Sequence, residues 1–424
     1  MNVPLNIAIV GGGIAGVGLA LGLKDAPHLK VTLFESAAAF GEIGAGVSFG
    51  TNAVRALAGL GMAEPYHALA DRTPEPWQDV WFEWRRGSDA SYLGATLAPG
   101  VGQSSIHRAD FLDALARRLP EGMARFGKRA SGLQQDAEGV TLTFTDGSSH
   151  RCDLVLAADG IKSGLRAAVL DGHGLNDPGP RFTGSVAYRG LVEREGLRKR
   201  FRAAGLDQHL LDVPQMYLAQ DGHLLTFPIK QGRIINIVAF LTAQPRLSEW
   251  PVDQPWVRNA NHAEVGAAFA DWGLAARTLV DAIEAPTLWA LHDLEELPRY
   301  VHGRAALLGD AAHAMPPHQG AGAGQGLEDA WFLRELLIDP LVASGNLEQV
   351  LQAYERWRLP RACRTQRTSW EAGELYEYRD RVVGSDAARL GQTLARRFDW
   401  LWQHDLLDDV RAARQALGWT RQPA

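Results

Sequence analysis

The sequence predicts an α/β protein made of a Rossmann-like nucleotide-binding domain, an inserted domain of mostly antiparallel strands, and a helical C-terminal region. Three observations predict this fold class. An apolar run at residues 6–10 is followed by three glycines and then by helical spacing, which is typical of a strand, a tight turn and a helix. Several short apolar runs between residues 181 and 240 are separated by turns that contain glycine. Beyond Gly326 nearly all of the periodicity is helical.

The first element is a βαβ unit. It covers an expected strand at residues 6–10, an expected helix at 14–23 and a second strand at 30–34. Two strands joined by such a crossover are parallel, and the connection is right-handed. The 19 residues from Leu5 to Leu23 carry no charge, but six glycines among them favour a strand, a turn and a buried helix over a membrane span.

Further strands of the same sheet are expected much later in the chain. Residues 140–149 have the pattern of a hairpin around Asp146-Gly147, and residues 154–157 have that of a buried parallel strand. Another short apolar strand is expected at residues 304–308, immediately before Gly309. The nucleotide-binding domain is therefore expected to be discontinuous.

The inserted sheet separates these pieces. Its expected strands are residues 185–191, 215–219, 223–229 and 233–240. The predicted domain limits are residues 1–75, 100–180 and 290–340 for the discontinuous nucleotide-binding domain, 76–99 and 181–289 for the sheet domain, and 341–424 for the C-terminal helical region.

Composition excludes several classes of protein. The 43 Lys and Arg against 49 Asp and Glu give a net charge of −6, and without a basic block this argues against a nucleic acid or an anionic membrane as partner. Cys152 and Cys363 are too few for a disulfide scaffold, and buried, inert thiols are expected. A cytoplasmic location is expected, and a monomer and a homodimer both stay open.

Glycine is concentrated in two windows, with 12 of the 45 in residues 1–61 and five in residues 309–326. In the first window Gly11-x-Gly13-x-x-Gly16 follows a strand and opens a helix, as a pyrophosphate-binding turn requires. Glu35 ends the second strand, where a carboxylate can accept hydrogen bonds from a ribose diol. These residues predict a dinucleotide site without choosing between FAD and NAD.

Two further segments identify a family. Residues 152–160, which end in Asp159-Gly160, and residues 309–317, which begin with Gly309-Asp310, resemble the two signature sequences of single-component (class A) flavoprotein aromatic hydroxylases. Together with the amino-terminal glycines they form three motifs in the family's order, and Arg108 resembles the family's arginine beside the FAD pyrophosphate. The resemblance implies FAD as cofactor and NADH and O2 as co-substrates. No second GxGxxG is present, so NADH is expected to dock transiently.

The resemblance implies a set of FAD-binding residues. These are Gly11, Gly13, Ala15, Gly16, Glu35, Arg108, Asp159, Asp310, Pro317, Gly322 and Ala323. Asp310 is expected to accept hydrogen bonds from ribityl hydroxyls, although a helix-capping aspartate is the alternative. If a helix begins near Gly322 and points at the flavin N1/O2 edge, its N-terminus stabilises the negative charge of the reduced ring.

His318 is the candidate catalytic base and substrate contact, because it stands between Pro317 and the glycine run and titrates near neutrality. A histidine one layer behind the substrate is the alternative. His313 is expected to be structural, and no metal site is predicted. Met216 and Tyr217 are expected to line the substrate pocket, with ordinary core as the alternative. Candidates for the substrate carboxylate are Arg246, Arg189 and Arg233, unless that site is apolar.

In this family a C4a-hydroperoxyflavin attacks an electron-rich ring, so the resemblance implies an FAD-dependent monooxygenase. The expected substrate is salicylate, hydroxylated at the carboxyl-bearing carbon with loss of CO2 to give catechol. The alternative is hydroxylation, without decarboxylation, of another hydroxybenzoate or of a hydroxylated heteroaromatic acid. Ser48 stands where some relatives that act on pyridine carboxylates carry histidine, which counts against that class. Flavin-dependent halogenases carry a Trp-x-Trp-x-Ile-Pro motif, and this sequence lacks it. A flavin-binding redox sensor is the remaining alternative class.

Overall fold

The computed structural model describes residues 3–41, 46–243 and 249–419. The strands, in chain order, are β1 (Leu5–Val10), β2 (Leu29–Phe34), β3 (Gly46–Phe49), β4 (Val80–Arg86), β5 (Tyr92–Leu97), β6 (Ser104–His107), β7 (Ala124–Arg125), β8 (Ala130–Asp136), β9 (Gly139–Phe144), β10 (Ser149–Cys152), β11 (Leu154–Ala157), β12 (Arg181–Glu193), β13 (Gln215–Ala219), β14 (Gly222–Ile229), β15 (Ile234–Thr242), β16 (Val257–Asn259), β17 (Thr287–Asp293), β18 (Val301–His302) and β19 (Ala305–Leu307).

The helices, in the same order, are α1 (Ile14–Leu23), α2 (Thr51–Gly59), α3 (Ala63–Leu69), α4 (Arg108–Ala116), α5 (Arg166–Asp171), α6 (Arg194–Ala203), α7 (His209–Asp212), α8 (His262–Ala268), α9 (Leu274–Val280), α10 (Asp310–His313), α11 (Gly322–Leu337), α12 (Leu347–Tyr376), α13 (Ala387–Arg396), α14 (Asp399–Trp402) and α15 (Leu406–Ala416). Two short 3-10 turns lie at Pro317–Gln319 and Ser344–Asn346. None of the helices in the described part of the chain combines the length and the apolar character that crossing a membrane needs.

A six-stranded sheet carries the amino-terminal glycine turn. Its order is β18-β19-β11-β1-β2-β7, with β1 parallel to both β2 and β11, and β11 parallel to β19. The strands therefore come from the start, the middle and the last third of the chain. The expected strand at 154–157 is β11, and the one expected at 304–308 is β19. The predicted α/β class with a discontinuous nucleotide-binding sheet is confirmed.

The hairpin expected around Asp146-Gly147 is formed by β9 and β10, which β8 extends to a three-stranded sheet. Gly147 has φ of +80°, a left-handed conformation that glycine adopts without steric cost. Cys152 at the end of β10 and Cys363 in α12 are both buried free thiols, as expected.

The second large sheet has eight strands in the order β16-β17-β12-β15-β14-β13-β4-β5. Its neighbours are antiparallel, except that β13 and β4 run parallel. One face packs against the helices α6 to α9 through a core that includes Phe201, Tyr217 and Ile237. The other face turns toward α11, α12 and the loop before α11, and the main cavity lies between them.

Candidate active site

The glycine turn after β1 is forced by close backbone approach. Gly11 has φ of +109°, and a Cβ there would lie 2.2 Å from the Ala158 carbonyl oxygen. A Cβ on Gly16 would lie 2.0 Å from the Gly11 carbonyl oxygen, so α1 can sit against the turn only with glycine at this position. Gly13 is the N-cap of α1 and lines the cavity, where the unpaired N–H groups of the first helical turn are available to an anion.

Ala15 joins the two glycine windows in space. A Cβ on Gly326 would lie 3.1 Å from the Ala15 Cβ, and one on Gly309 would lie 3.6 Å from it. The helices α1 and α11 therefore meet through their smallest residues. The two windows, about 300 residues apart in the sequence, form one surface.

Glu35 faces a side cavity of about 430 Å³ that Gly12, Gly13 and Asp159 also line. Its Oε2 accepts a hydrogen bond from the Gly12 backbone N–H at 2.7 Å, and its Oε1 accepts one from the Ala37 N–H at 2.7 Å. These bonds fix the carboxylate at the end of β2. Oε1 also accepts from the Ser36 hydroxyl at 3.0 Å, whereas Oε2 can accept a second hydrogen bond and so is ready for a ribose hydroxyl.

Arg108 is the first residue of α4 and lines both the side cavity and the main cavity. Gly13, Ala158 and Gly160 are also shared, so the two spaces are continuous at the glycine turn. Asp159 Oδ2 accepts from the Gly164 N–H at 2.8 Å, but its Oδ1 is buried without a hydrogen-bond partner among the described residues. Burial raises the pKa of Asp159.

The main cavity has a volume of about 540 Å³. One wall is the loop from Gly309 to Ala323, and the opposite wall is the large sheet. The loop residues that line it include Gly309, Asp310, Pro317, His318, Gly320, Gly322 and Ala323. The sheet residues that line it include Ala187, Arg189, Met216, Leu225, Phe227, Asn236, Val238, Phe240 and Trp289.

The joined cavities fit FAD. Positive charge from Arg108 and the N-terminus of α1 lies at their junction, with the Glu35 carboxylate on one side and the α11 N-terminus on the other. A Cβ on Gly322 would lie 3.9 Å from Asp310 Oδ1, so Asp310 and the start of α11 flank the same space. The unpaired Asp159 Oδ1 adds a buried acceptor without a protein partner. Ten of the eleven residues expected to bind FAD border these cavities, and the eleventh, Gly16, shapes the turn from behind.

His318 lies in the 3-10 turn Pro317–Gln319 and points into the main cavity with 7% of its surface exposed. Its ring centroid is 5.1 Å from that of His223 and 5.5 Å from that of Phe240. A Cβ on Gly373 of α12 would lie 2.8 Å from the ring, so this glycine makes room for the imidazole.

A buried charge network supports α11 behind the loop. Arg358 of α12 donates to Asp329 Oδ1 and to Glu328 Oε2, both at 2.7 Å. Asp329 also accepts from His313 Nε2 at 2.6 Å and from the Gly309 N–H at 2.9 Å. The position of His313, which is fully buried, agrees with the structural role expected for it. The described residues contain no group of His, Cys, Asp and Glu side chains that could hold a metal ion.

Of the two residues on β13 that were expected to line the pocket, the structure places one on the cavity wall. Met216 lines the cavity, opposite Leu225 of β14. Tyr217 does not, because successive residues of a strand face opposite sides of the sheet. Its side chain is fully buried in the core under α6 to α9, and the expectation that it lines the pocket is corrected.

The three arginines that were candidates for binding the substrate carboxylate lie in different places. Arg246 lies outside the described residues. Arg233 is exposed in the turn before β15, where its Nε donates to the Lys230 carbonyl, and it is not on the cavity wall. Arg189 lines the cavity with its guanidinium 4.9 Å from the centroid of the Trp289 ring, and Nε has no acceptor among the described residues. Burial, with the charge of Arg108 added, lowers the pKa of Arg189 to about 10.

Sequence reasoning missed several side chains around the cavity. Trp289 of β17 and Tyr376 at the end of α12 both line it, and His223 of β14 stands directly behind His318. The position of His223 had a usable signal, since it lies two and four residues before Leu225 and Phe227 and therefore shares their face. Tyr376 had no local signal, because tertiary packing alone brings α12 to the cavity.

Comparisons with known proteins agree with this geometry. The chain matches a family model described as FAD binding domain over residues 5–369. A salicylate hydroxylase of Pseudomonas putida is 63% identical over 417 residues, which are 98% of this chain and 96% of that protein. A 6-methylsalicylate 1-monooxygenase of Aspergillus terreus is 37% identical over 96% of this chain and 91% of that protein. A solved structure described as a salicylate hydroxylase substrate complex has a TM-score of 0.91 at 53% identity and covers 99% of each chain.

Proposed function

Because the chain belongs to the FAD-binding-domain family and is an FAD-dependent aromatic monooxygenase, we propose that it hydroxylates salicylate at the carbon that bears the carboxylate. The reaction consumes NADH, O2 and two protons and yields catechol, CO2, NAD⁺ and water. The observation that carries the proposal is the 63% identity with a salicylate hydroxylase along nearly the whole of both chains. A monomeric or homodimeric state and a cytoplasmic location stay predictions.

The residues that would hold FAD follow from the two cavities. Gly13 and Arg108 would hold the pyrophosphate, Glu35 the adenosine ribose, and Asp310 the ribityl chain. Gly322, in the first turn of α11, would present backbone N–H groups to the ring. Bound FAD supplies electron transfer from NADH and the activation of O2; the protein supplies binding, orientation and exclusion of water.

His318 is proposed to accept the proton of the substrate hydroxyl. An ionised hydroxyl increases electron density at the ortho carbon, which is the carbon to be hydroxylated. The side chain reaches the cavity from the loop, and the buried sheet face opposite excludes water from the reacting ring. Phe240, Leu225 and Val238 on that face carry no titratable group, and His318 is the histidine among the described residues that line the cavity.

The substrate carboxylate is proposed to lie against the apolar wall. Met216, Leu225 and Val238 stand side by side on β13, β14 and β15 and contribute no polar group to the cavity. Apolar surroundings disfavour a carboxylate relative to neutral CO2, so this wall promotes decarboxylation. Arg189 is directed instead toward β17, on the side of β12 away from Phe240, where it stacks on Trp289.

Replacing Arg189 with methionine tests that placement. We expect the KM for salicylate to stay within about threefold of wild type, because a carboxylate on the apolar wall has no bond to this guanidinium. Steady-state kinetics of catechol formation provide the measurement. A rise in KM of roughly tenfold or more would assign the carboxylate to Arg189, since a charge-assisted hydrogen bond contributes about 1.5–3 kcal/mol.

Replacing Glu35 with alanine is expected to weaken FAD binding by at least about tenfold, because a charge-assisted hydrogen bond to the ribose, which contributes about 1.5–3 kcal/mol, is lost. The Kd of FAD, titrated by flavin fluorescence against the apoprotein, measures this. Glu121→Ala, an exposed carboxylate outside both cavities, is the matched control and should bind FAD as wild type does. Equal FAD affinity in the Glu35 variant would remove its ribose role.

The function itself is tested with a panel of hydroxybenzoates under NADH and O2. Catechol, CO2 and H2O2 are followed together, and salicylate should give catechol and CO2 in equal amounts with little peroxide. If salicylate stimulates NADH oxidation but yields only peroxide, it is an effector and the proposed substrate is wrong. A hydroxylated product that retains its carboxylate would establish the non-decarboxylating alternative.

A further inference from the structure

A carboxylate–histidine pair is buried directly behind His318. His223 Nδ1 lies 3.1 Å from Glu377 Oε1, and the side chains are 0% and 2% exposed. His223 comes from β14, whereas Glu377 follows the last residue of α12. The pair therefore joins the substrate-facing sheet to the C-terminal helix, and the reaction described above assigns it no task.

The His223 ring is held in one orientation. It stacks on Phe240 with centroids 4.3 Å apart and planes 8° apart, and its centroid lies 5.3 Å from that of Tyr376. A carboxylate can only accept, so Nδ1 carries the proton that points to Glu377. In the neutral ring Nε2 is then an acceptor, and this buried atom has no hydrogen-bond partner among the described residues.

Glu377 is a fixed negative charge. Burial by itself would raise the pKa of Glu377, but the hydrogen bond from His223 and electrostatic interactions with His223, His318 and Arg379 lower it to about 2. Arg379 Nη2 lies 2.7 Å from Glu377 Oε2 and its Nε donates to Asp221 at 2.8 Å. Glu377 is therefore ionised throughout the neutral range.

Charged and titratable side chains lie near His318 on three described parts of the chain, which are its own loop, β14 and the end of α12. The loop contributes His318 itself, and β14 contributes His223 with Asp221 in the turn before it. The end of α12 contributes Tyr376, Glu374 and Glu377, and Arg379 follows.

We propose that Glu377, acting through His223, is a positioning residue that favours the protonated form of His318 and so strengthens it as acceptor of the substrate hydroxyl proton. In this step the substrate O–H bond breaks, its proton goes to a ring nitrogen of His318, and no electrons leave the substrate. His223 keeps its Nδ1 proton throughout. The inference rests on the proposed hydroxylase function and adds two residues to it.

The test compares the pH dependence of coupled catechol formation in holoenzymes of wild type and Glu377→Gln. Removing the negative charge makes His318 a weaker base. It then stays deprotonated to lower pH, so the acidic limb of kcat/KM should move down by about one pH unit, while the plateau should fall several-fold. The KM for salicylate and the FAD content should not change.

Two further variants separate this role from a structural one. Glu374→Gln removes a negative charge from α12 that lies 3.7 Å from Arg379, and the acidic limb of its kcat/KM profile should stay at the wild-type pH. Arg379→Gln removes a positive charge beside Glu377 and should move the limb in the opposite direction, to higher pH. A packing defect would not give shifts of opposite sign.

A direct measurement covers the case in which Glu377→Gln folds poorly or the enzyme proves to have another substrate. NMR titration of ¹³C-labelled histidine in the holoproteins reports the protonation of His318 without turnover, and Arg379→Gln gives the expected sign by itself. If catechol forms normally but the limb and the His318 titration are the same in all variants, the inference is wrong and the function stands. If no catechol forms, the function fails while the titration still decides the inference.

Discussion

Replacing His318 with alanine lowers the rate of coupled salicylate hydroxylation by about 10²–10⁴-fold, the range for loss of a positioned general base. The other described groups that line the cavity near it are apolar side chains, the amide of Gln319 and the phenol of Tyr376, whose pKa burial raises. None of these can take the substrate proton at neutral pH. NADH oxidation should continue with H2O2 as product, because reduction of the flavin does not need this imidazole.

The measurement is the ratio of catechol formed to NADH consumed, with FAD content determined on the same sample. His262→Ala, an exposed histidine at the start of α8 outside both cavities, is the matched control and should keep the wild-type ratio. Added imidazole should restore part of the rate in His318→Ala if its space behind Gly373 admits the small base. An unchanged ratio in His318→Ala would exclude it as the base.

Replacing Arg358 with methionine should lower the free energy of unfolding by about 3–5 kcal/mol, the cost of removing one partner from a buried ion pair. Its guanidinium is 0% exposed and bonds Asp329, Glu328 and Gln325, so the variant leaves two buried carboxylates with fewer donors. Because Arg361 still donates a hydrogen bond to Glu328, this carboxylate is not left unpaired, and the loss of unfolding free energy should not exceed this range.

Urea unfolding of the holoprotein measures the loss, and Arg356→Met, an exposed arginine on the same helix, should change it by less than about 0.5 kcal/mol. The pH dependence has a definite sign. Burial would raise the pKa of Glu328, but the charges of Arg361 and Arg358 lower it to about 2. Its contribution is complete above the unfolded value of about 4.3 and is lost as the pH falls toward 2. A variant as stable as wild type would show that the network contributes nothing.

Much of the cofactor site could be predicted from sequence because it is built from backbone. Gly11 and Gly16 are required by contacts of 2.2 and 2.0 Å that any side chain would violate, and such requirements leave a motif in the sequence. The substrate side has no such motif. Tyr217 was assigned to the wrong face because β13 and β14 are buried on both sides, so their sequences do not alternate and the phase of the strand cannot be read.

The His223–Glu377 pair behind His318 shows a second limit of prediction from sequence. The spacing of His223 to Leu225 shows that the two residues share a face of β14, but the partner of His223, Glu377, is 154 residues further along the chain. Nothing in the periodicity of α12 indicates which end of this 30-residue helix reaches the active site. The pairing of Glu377 with His223 can therefore be recognised only once the packing of α12 is known.

The discontinuous sheet has a consequence for biosynthesis. Gly11 leaves the ribosome first, yet β19, which pairs with β11, and Gly322 of α11 follow about 300 residues later. At 5–20 residues per second, roughly 15–60 s separate the two halves of the cofactor cradle. A nascent chain therefore cannot retain FAD until most of it has been translated. The edge of β1 is covered once β11 has been made, but the apolar edge of β11 stays open to chaperones until β19 follows.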